Sequence, residues 1–265
     1  MEYSIPIFMY IRDINLKNKR MKKIALLLLL TMSIVGMAQE KVLLRLNYEK
    51  GDVYETKMHM KQDLAGMMDL DIVMNMNMKI NAIEGGLYNT EMKISHVTMN
   101  MTSQGNTMKY DSNDKEEDMN RFAKGAHSKM KPILTSSMEF TYDKLADVKD
   151  VKLISGTASI DSFKENSNTI VYPKEAVELG TSWKESKTTS QGVKLNYEYK
   201  VTSIDANKVV LTITGTISEI GTGDFNGKAS VDRKTGNVSE MNVDMNMNVM
   251  GQKIKQNISM TTTKM

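Results

Sequence analysis

A chain of 265 residues with 35 basic and 32 acidic side chains lacks the charge excess that binding to nucleic acid or an anionic membrane surface requires. It has no cysteine, which excludes disulfides, thiol chemistry and a thiol-linked lipid anchor, and it has only three histidines. Methionine is the compositional outlier, with 25 residues standing where Leu, Val or Phe usually stand.

Lys17, Lys19, Arg20, Lys22 and Lys23 precede an apolar run from Ile24 to Val35 that ends in Gly36-Met37-Ala38. A basic region, a short apolar core and small residues at −3 and −1 predict a secretory signal peptide cleaved after Ala38. The run falls short of the roughly 20 residues that cross a bilayer. Met21-Lys22-Lys23 reads as a natural start, so residues 1–20 read as an over-long N-terminus. Six basic and two acidic residues precede Gln39, so the remainder carries a net charge of −1. The mature chain, 39–265, is expected in the periplasm or outside the cell, as a single domain without a transmembrane segment. A chain of that length buries roughly 70% of its unfolded surface without staples.

Val42, Leu44, Leu46 and Tyr48 alternate into a turn-forming Glu49-Lys50-Gly51-Asp52. The run Val53 to Leu64 follows, then Ala65-Gly66-Met67, then MDLDIVMNMNMKI from Met68 to Ile80. In that stretch Met68, Leu70, Ile72, Met74, Met76, Met78 and Ile80 hold every even position and mostly Asp, Asn and Lys hold the odd ones. Side chains alternate faces along a strand, so the pattern predicts one long strand with one apolar and one wet face, paired in a hairpin with the run before it. A third strand, Leu87 to Thr102, switches phase at Ser95-His96, which predicts a β-bulge. Lys115 to Met130 reads as an amphipathic helix, with Asp114 as cap, Glu116 and Glu117 in its first turn, and Pro132 limiting its far end. Phe140 to Ile154 predicts two short strands, and Ser159 to Glu165 a short helix.

The second half is again rich in β pattern: Leu195, Tyr197, Tyr199 and Val201, then Val209, Leu211 and Ile213, then Met241 to Val249, then Ile254, Ile258 and Met260. Met78 to Glu84 aligns with Tyr199 to Asp205 at an offset of 121 residues, and Met92 with Ile213 at the same offset. The halves 42–135 and 140–265 therefore read as similar. The expected fold is mainly β: a curved antiparallel sheet or half-barrel from two similar halves, with the 115–130 helix on its concave face.

Three segments carry a resemblance: Gly51-Asp52-Val53-Tyr54, the stretch from Tyr172-Pro173 to Gly180-Thr181-Ser182-Trp183, and Asp232 to Gly236 with the hairpin after it. With them the chain resembles an uncharacterised family of secreted proteins from Gram-negative bacteria, which implies export and no assigned activity. In architecture it is similar to LolA-like periplasmic lipoprotein carriers, in which a curved antiparallel sheet wraps helices and holds an acyl chain. Fold alone does not fix function.

The candidate site is the Met-lined apolar face: Met74, Met76, Met78, Met99, Met101, Met245 and Met247. Met adapts to ligands of variable shape, so a lipid or other apolar molecule is the expected partner, set against ordinary core packing under the helix. Thioether sulfur also suits Cu(I), and Met58-His59-Met60, Met74 to Met78 and Met245-Asn246-Met247 make periplasmic Cu(I) binding through Met a lesser alternative. His59 points away from its Met neighbours, so the ligands would come from adjacent strands, and no metal ligand or cofactor is assigned. A third reading is an envelope interaction module whose edge strands recruit a protein partner. The acidic run Asp111 to Asp118 has Glu116 where a calcium loop needs glycine. With no HExxH, nucleophile elbow or phosphate loop, a non-enzymatic protein is expected.

Overall fold

The computed structural model describes residues 40–160, 170–189, 192–219, 221–249 and 251–265. The predicted leader, 1–38, and all but the first two residues of the predicted helix at 159–165 lie outside them. Residues from Lys41 onward form one unit.

Twelve antiparallel strands make one sheet: β1 Val53–Leu64, β2 Met68–Glu84, β3 Leu87–Ser103, β4 Asn106–Asp111, β5 Ser137–Tyr142, β6 Val148–Ser155, β7 Ser182–Thr188, β8 Lys194–Ile204, β9 Lys208–Ser218, β10 Gly221–Asp232, β11 Val238–Val249 and β12 Gln252–Lys264. Their order is β6-β5-β3-β2-β1-β12-β11-β10-β9-β8-β7, with β4 also on β3. Each half is thus a meander in chain order, and the β1–β12 pairing joins the two. The sheet is open, since β6 and β7 are not paired with each other. The β2–β3 register shifts between Asn75 and Met76, opposite the Ser95-His96 phase change, which keeps Ile94 and Val97 on one face. Further shifts fall at Ile80/Ala82 in β2 and at Val201/Ser203 in β8, separated by the same 121 residues as the sequence match.

What curls the sheet is visible in a strap that precedes it. Leu46 N donates to Lys144 O (2.9 Å), in the β5–β6 hairpin, and the next residue, Asn47, donates to Thr235 O (2.8 Å), in the β10–β11 hairpin. In a flat sheet six strand positions would hold those hairpins about 29 Å apart, at about 4.8 Å per strand. Consecutive residues reach both, so this end of the sheet is rolled. Gly223 and Gly227 mark where β10 permits it: a Cβ would stand 2.4 Å from Asn246 O at the first and 2.2 Å from Asn242 O at the second.

The strap is where the alternation of Val42, Leu44, Leu46 and Tyr48 goes. All four are buried, but the segment is no strand: its one β-bridge among the described residues is Val42 to Val177. With Ile170, Tyr172 and Val177 it fills the rolled end, against Tyr54, Ile80, Phe140, Val201 and Leu211. Full burial of side chains such as Ile80 and Leu211 contributes roughly 1.5–3 kcal/mol each. Tyr172 OH donates to Gly236 O (2.8 Å), Tyr88 OH to Leu46 O (2.8 Å), and the Trp183 indole to Val171 O (2.9 Å).

The single described α-helix, α1, is Arg121–Leu134 and starts later than the expected Lys115. Asn120, not Asp114, is the cap, its side chain accepting from Ala123 N (2.9 Å). Glu116 to Asp118 form a 3-10 turn instead, so the helix has no acidic residue in its first turn. Pro132 lies inside the last turn and does not stop the helix before Leu134. Thr135 N and Oγ1 both donate to Lys131 O, closing that end.

Candidate functional site

Because opposed residues of antiparallel strands share a face, the registers turn the alternation of single strands into rows that cross the sheet. One row on the inner face runs Val97, Met74, Met58, Met260, Met241, Ala229, Leu211 from β3 to β9. The next runs Met99, Ile72, Met60, Ile258, Val243, Gly227, Ile213. A third carries Met101, Leu70, Gln62, Gln256, Met245 and Phe225. The outer face carries the partners in between, such as Lys61, Asn257 and Asp244, with Asn257 Nδ2 donating to Asp244 Oδ1 (2.7 Å).

Two separate clusters cover the flanks of that inner face. On the β3–β4 flank the helix sets Phe122, Ala123, Ala126, Met130 and Ile133 over Ile94, Val97, Tyr110, Met74, Met76 and Met99. On the other flank the main core takes in Phe225, Tyr197, Met241, Met245 and Met247. Between them, Met58, Met60, Leu70, Met101, Ile254, Ile258 and Met260 belong to neither cluster and are half-buried. They form an apolar floor on β1, β2, β3 and β12. The helix therefore covers one flank and does not fill the face.

All seven predicted methionines lie on the inner face, but they do not converge. Met74, Met76 and Met99 lie under the helix; Met78, Met245 and Met247 pack on the main core; Met101 is on the floor. Met101 and Met245 share a row with three strands between them. The floor residues Met58, Met60, Ile258 and Met260 were absent from the sequence-derived set. Their own alternation places them on an apolar face, but only the β1–β12 pairing makes them the centre of it.

Polar side chains interrupt this face on β1 and β12: the Thr56 and Thr262 hydroxyls lie 3.0 Å apart, and Gln62 stands opposite Gln256. Gln256 Nε2 donates to Met60 Sδ (2.8 Å). On the edge strand β7, one carboxylate oxygen of Glu185 is buried without a hydrogen-bond partner among the described residues. It adjoins Tyr197, whose hydroxyl is pushed up to about 12 by burial, with the Glu185 charge adding to the effect. The histidines stand elsewhere: His59 Nε2 and Asp71 Oδ1 are 2.9 Å apart, His96 Nε2 and Asp111 Oδ1 2.7 Å, and His127 meets the Tyr110 hydroxyl at 3.3 Å. Among the described residues no three His, Cys, Asp or Glu side chains are grouped to hold a metal, and no helix is long and apolar enough to cross a membrane.

No protein-family model and no curated protein matches this chain. Among solved structures it is similar to a lipovitellin chain, from work on lipid–protein interactions in lipovitellin, with a TM-score of 0.50 and 7% identity. The match covers 83% of this chain and 25% of that one. Likeness at that identity shows the fold.

Proposed function

We propose that this protein is a non-enzymatic, exported binding protein that holds a lipid or other apolar chain along the floor between the two clusters. The observation that carries the reading is that floor: seven apolar side chains at the centre of a rolled sheet, half-buried and packed on neither core. Leaving such a strip open to water is unfavourable at about 25 cal/mol per Å², and an apolar chain laid along it relieves that cost. Met58, Met60, Met101 and Met260 suit a ligand of variable shape, because the thioether side chain adapts without strain. The fold shared with lipovitellin, a protein described for its lipid contacts, is in keeping with this use.

The test is a titration with a fluorescent acyl probe against the wild type and Ile258→Lys, which puts an ammonium in the middle of the floor. The wild type binds, and the variant loses at least about tenfold in affinity, or 1.4 kcal/mol, with its far-ultraviolet spectrum unchanged. Equal binding by both proteins, or none by either, removes the reading.

A further inference from the structure

The row nearest the rolled end of the floor is made of thioethers. Met74, Met58, Met260 and Met241 stand on four neighbouring strands, β2, β1, β12 and β11, each directly opposite the next. Opposed residues of antiparallel strands have Cα atoms about 5.5 or 4.5 Å apart, alternating from one neighbour to the next. An unbranched side chain with three rotatable bonds lets three such sulfur atoms close on one point. All four residues are half-buried, and Val97 and Ala229 continue the row at its two ends. No carboxylate or imidazole belongs to it, since His59 faces the other way and is held by Asp71.

We propose that this row is a binding site for Cu(I), coordinated by the thioethers of Met58 and Met260 with Met74 or Met241 as the third ligand. Thioether sulfur is a soft donor that selects Cu(I), whereas zinc takes imidazole, thiolate or carboxylate and calcium takes oxygen. A neutral donor set leaves the full ionic charge in apolar surroundings, which costs far less for one positive charge than for two. Met60 is left out because its sulfur already accepts from Gln256. The site uses sulfur atoms where the lipid reading uses area, and neither proposal depends on the other.

The experiment is competition with the Cu(I)–bicinchoninate complex under reducing conditions, on protein first freed of bound lipid. Wild type removes one equivalent of Cu(I) per chain. Met58→Leu/Met260→Leu, which nearly conserves volume, removes none, while Met67→Leu in the exposed β1–β2 turn removes one equivalent as before. Ag(I), a redox-inert stand-in, shifts the ε-methyl resonances of Met58 and Met260 in the wild type. No transfer to the wild type overturns the site, and so does undiminished transfer to the double variant. Acyl-probe binding by the same samples reports on the lipid reading separately.

Discussion

The carbonyl oxygen of Arg45 lies so close over Gly236 that a Cβ at Gly236 would stand 1.8 Å from it. Gly236 also has φ +68°, a conformation that side chains other than glycine adopt at a cost. Gly236→Ala therefore lifts the strap from the β10–β11 hairpin and costs at least about 2 kcal/mol. Gly251→Ala is the control: its φ is +80° but nothing lies within 4 Å, so strain alone costs about 1 kcal/mol. Urea unfolding of the two variants separates the steric contact from the backbone strain.

Acid weakens the fold through carboxylates held below their ordinary values, Asp52 and Glu91 among them. Burial opposes ionisation of Asp52, but Lys264, the Glu49 N–H and Tyr54 outweigh it and hold the carboxyl below its ordinary value. Lys264 Nζ lies 2.7 Å from Asp52 Oδ1, tying the end of β12 to the start of β1. Glu91, bonded by Lys93, Ser137 and Asn81, is lowered to about 2. Groups depressed in the folded state stabilise it above their unfolded pKa and lose that effect as pH falls through the folded one. The urea midpoint thus holds at neutral pH and falls from pH 4.5 towards about 2. Ser137→Ala raises the folded pKa of Glu91, so the fall still begins near pH 4.5 but is smaller and ends at higher pH.

Alkali acts through the tyrosines. Burial raises Tyr142 and Tyr172 in the rolled end, and Tyr197 to about 12, against an ordinary 10.0. A raised folded pKa means stability that is complete below pH 10 and is lost as pH climbs through the folded value. Glu185→Gln removes the neighbouring charge and brings Tyr197 down. Absorbance titration of tyrosinate shows an earlier rise in that variant, and an unchanged curve contradicts the contact.

The helix is the least secured cover of the apolar face, with Ala123 its one buried residue. Asn120→Ala removes the cap and costs about 1 kcal/mol. Because the helix protects Met74, Met76 and Met99, the variant's amides over 121–134 exchange faster while those of β1 and β12 do not change. Hydrogen exchange reads both.

Much of the sheet was legible because alternation is a property of each strand alone. The run Val53 to Leu64 is β1 to the residue, and the phase change at Ser95-His96 is a real bulge. Alternation reports a face and not a neighbour. Val42 to Tyr48 shows it and is a buried strap, and Met58 and Met260, far apart in sequence, become partners only through the β1–β12 register. The helix start was misplaced because two residues suited to capping, Asp114 and Asn120, compete, and the intervening acidic residues are accommodated by a 3-10 turn. The β4 strand, six residues long, carried too short a pattern to be read.

Native mass spectrometry of the protein purified from its own producing cells tests the account most directly. An apolar floor that serves a ligand predicts a heterogeneous adduct of lipid mass that disappears on extraction into organic solvent and returns on incubation with lipid. A bare chain before extraction that also takes up no lipid afterwards would contradict it, and would leave Met60 and Ile258 as packing.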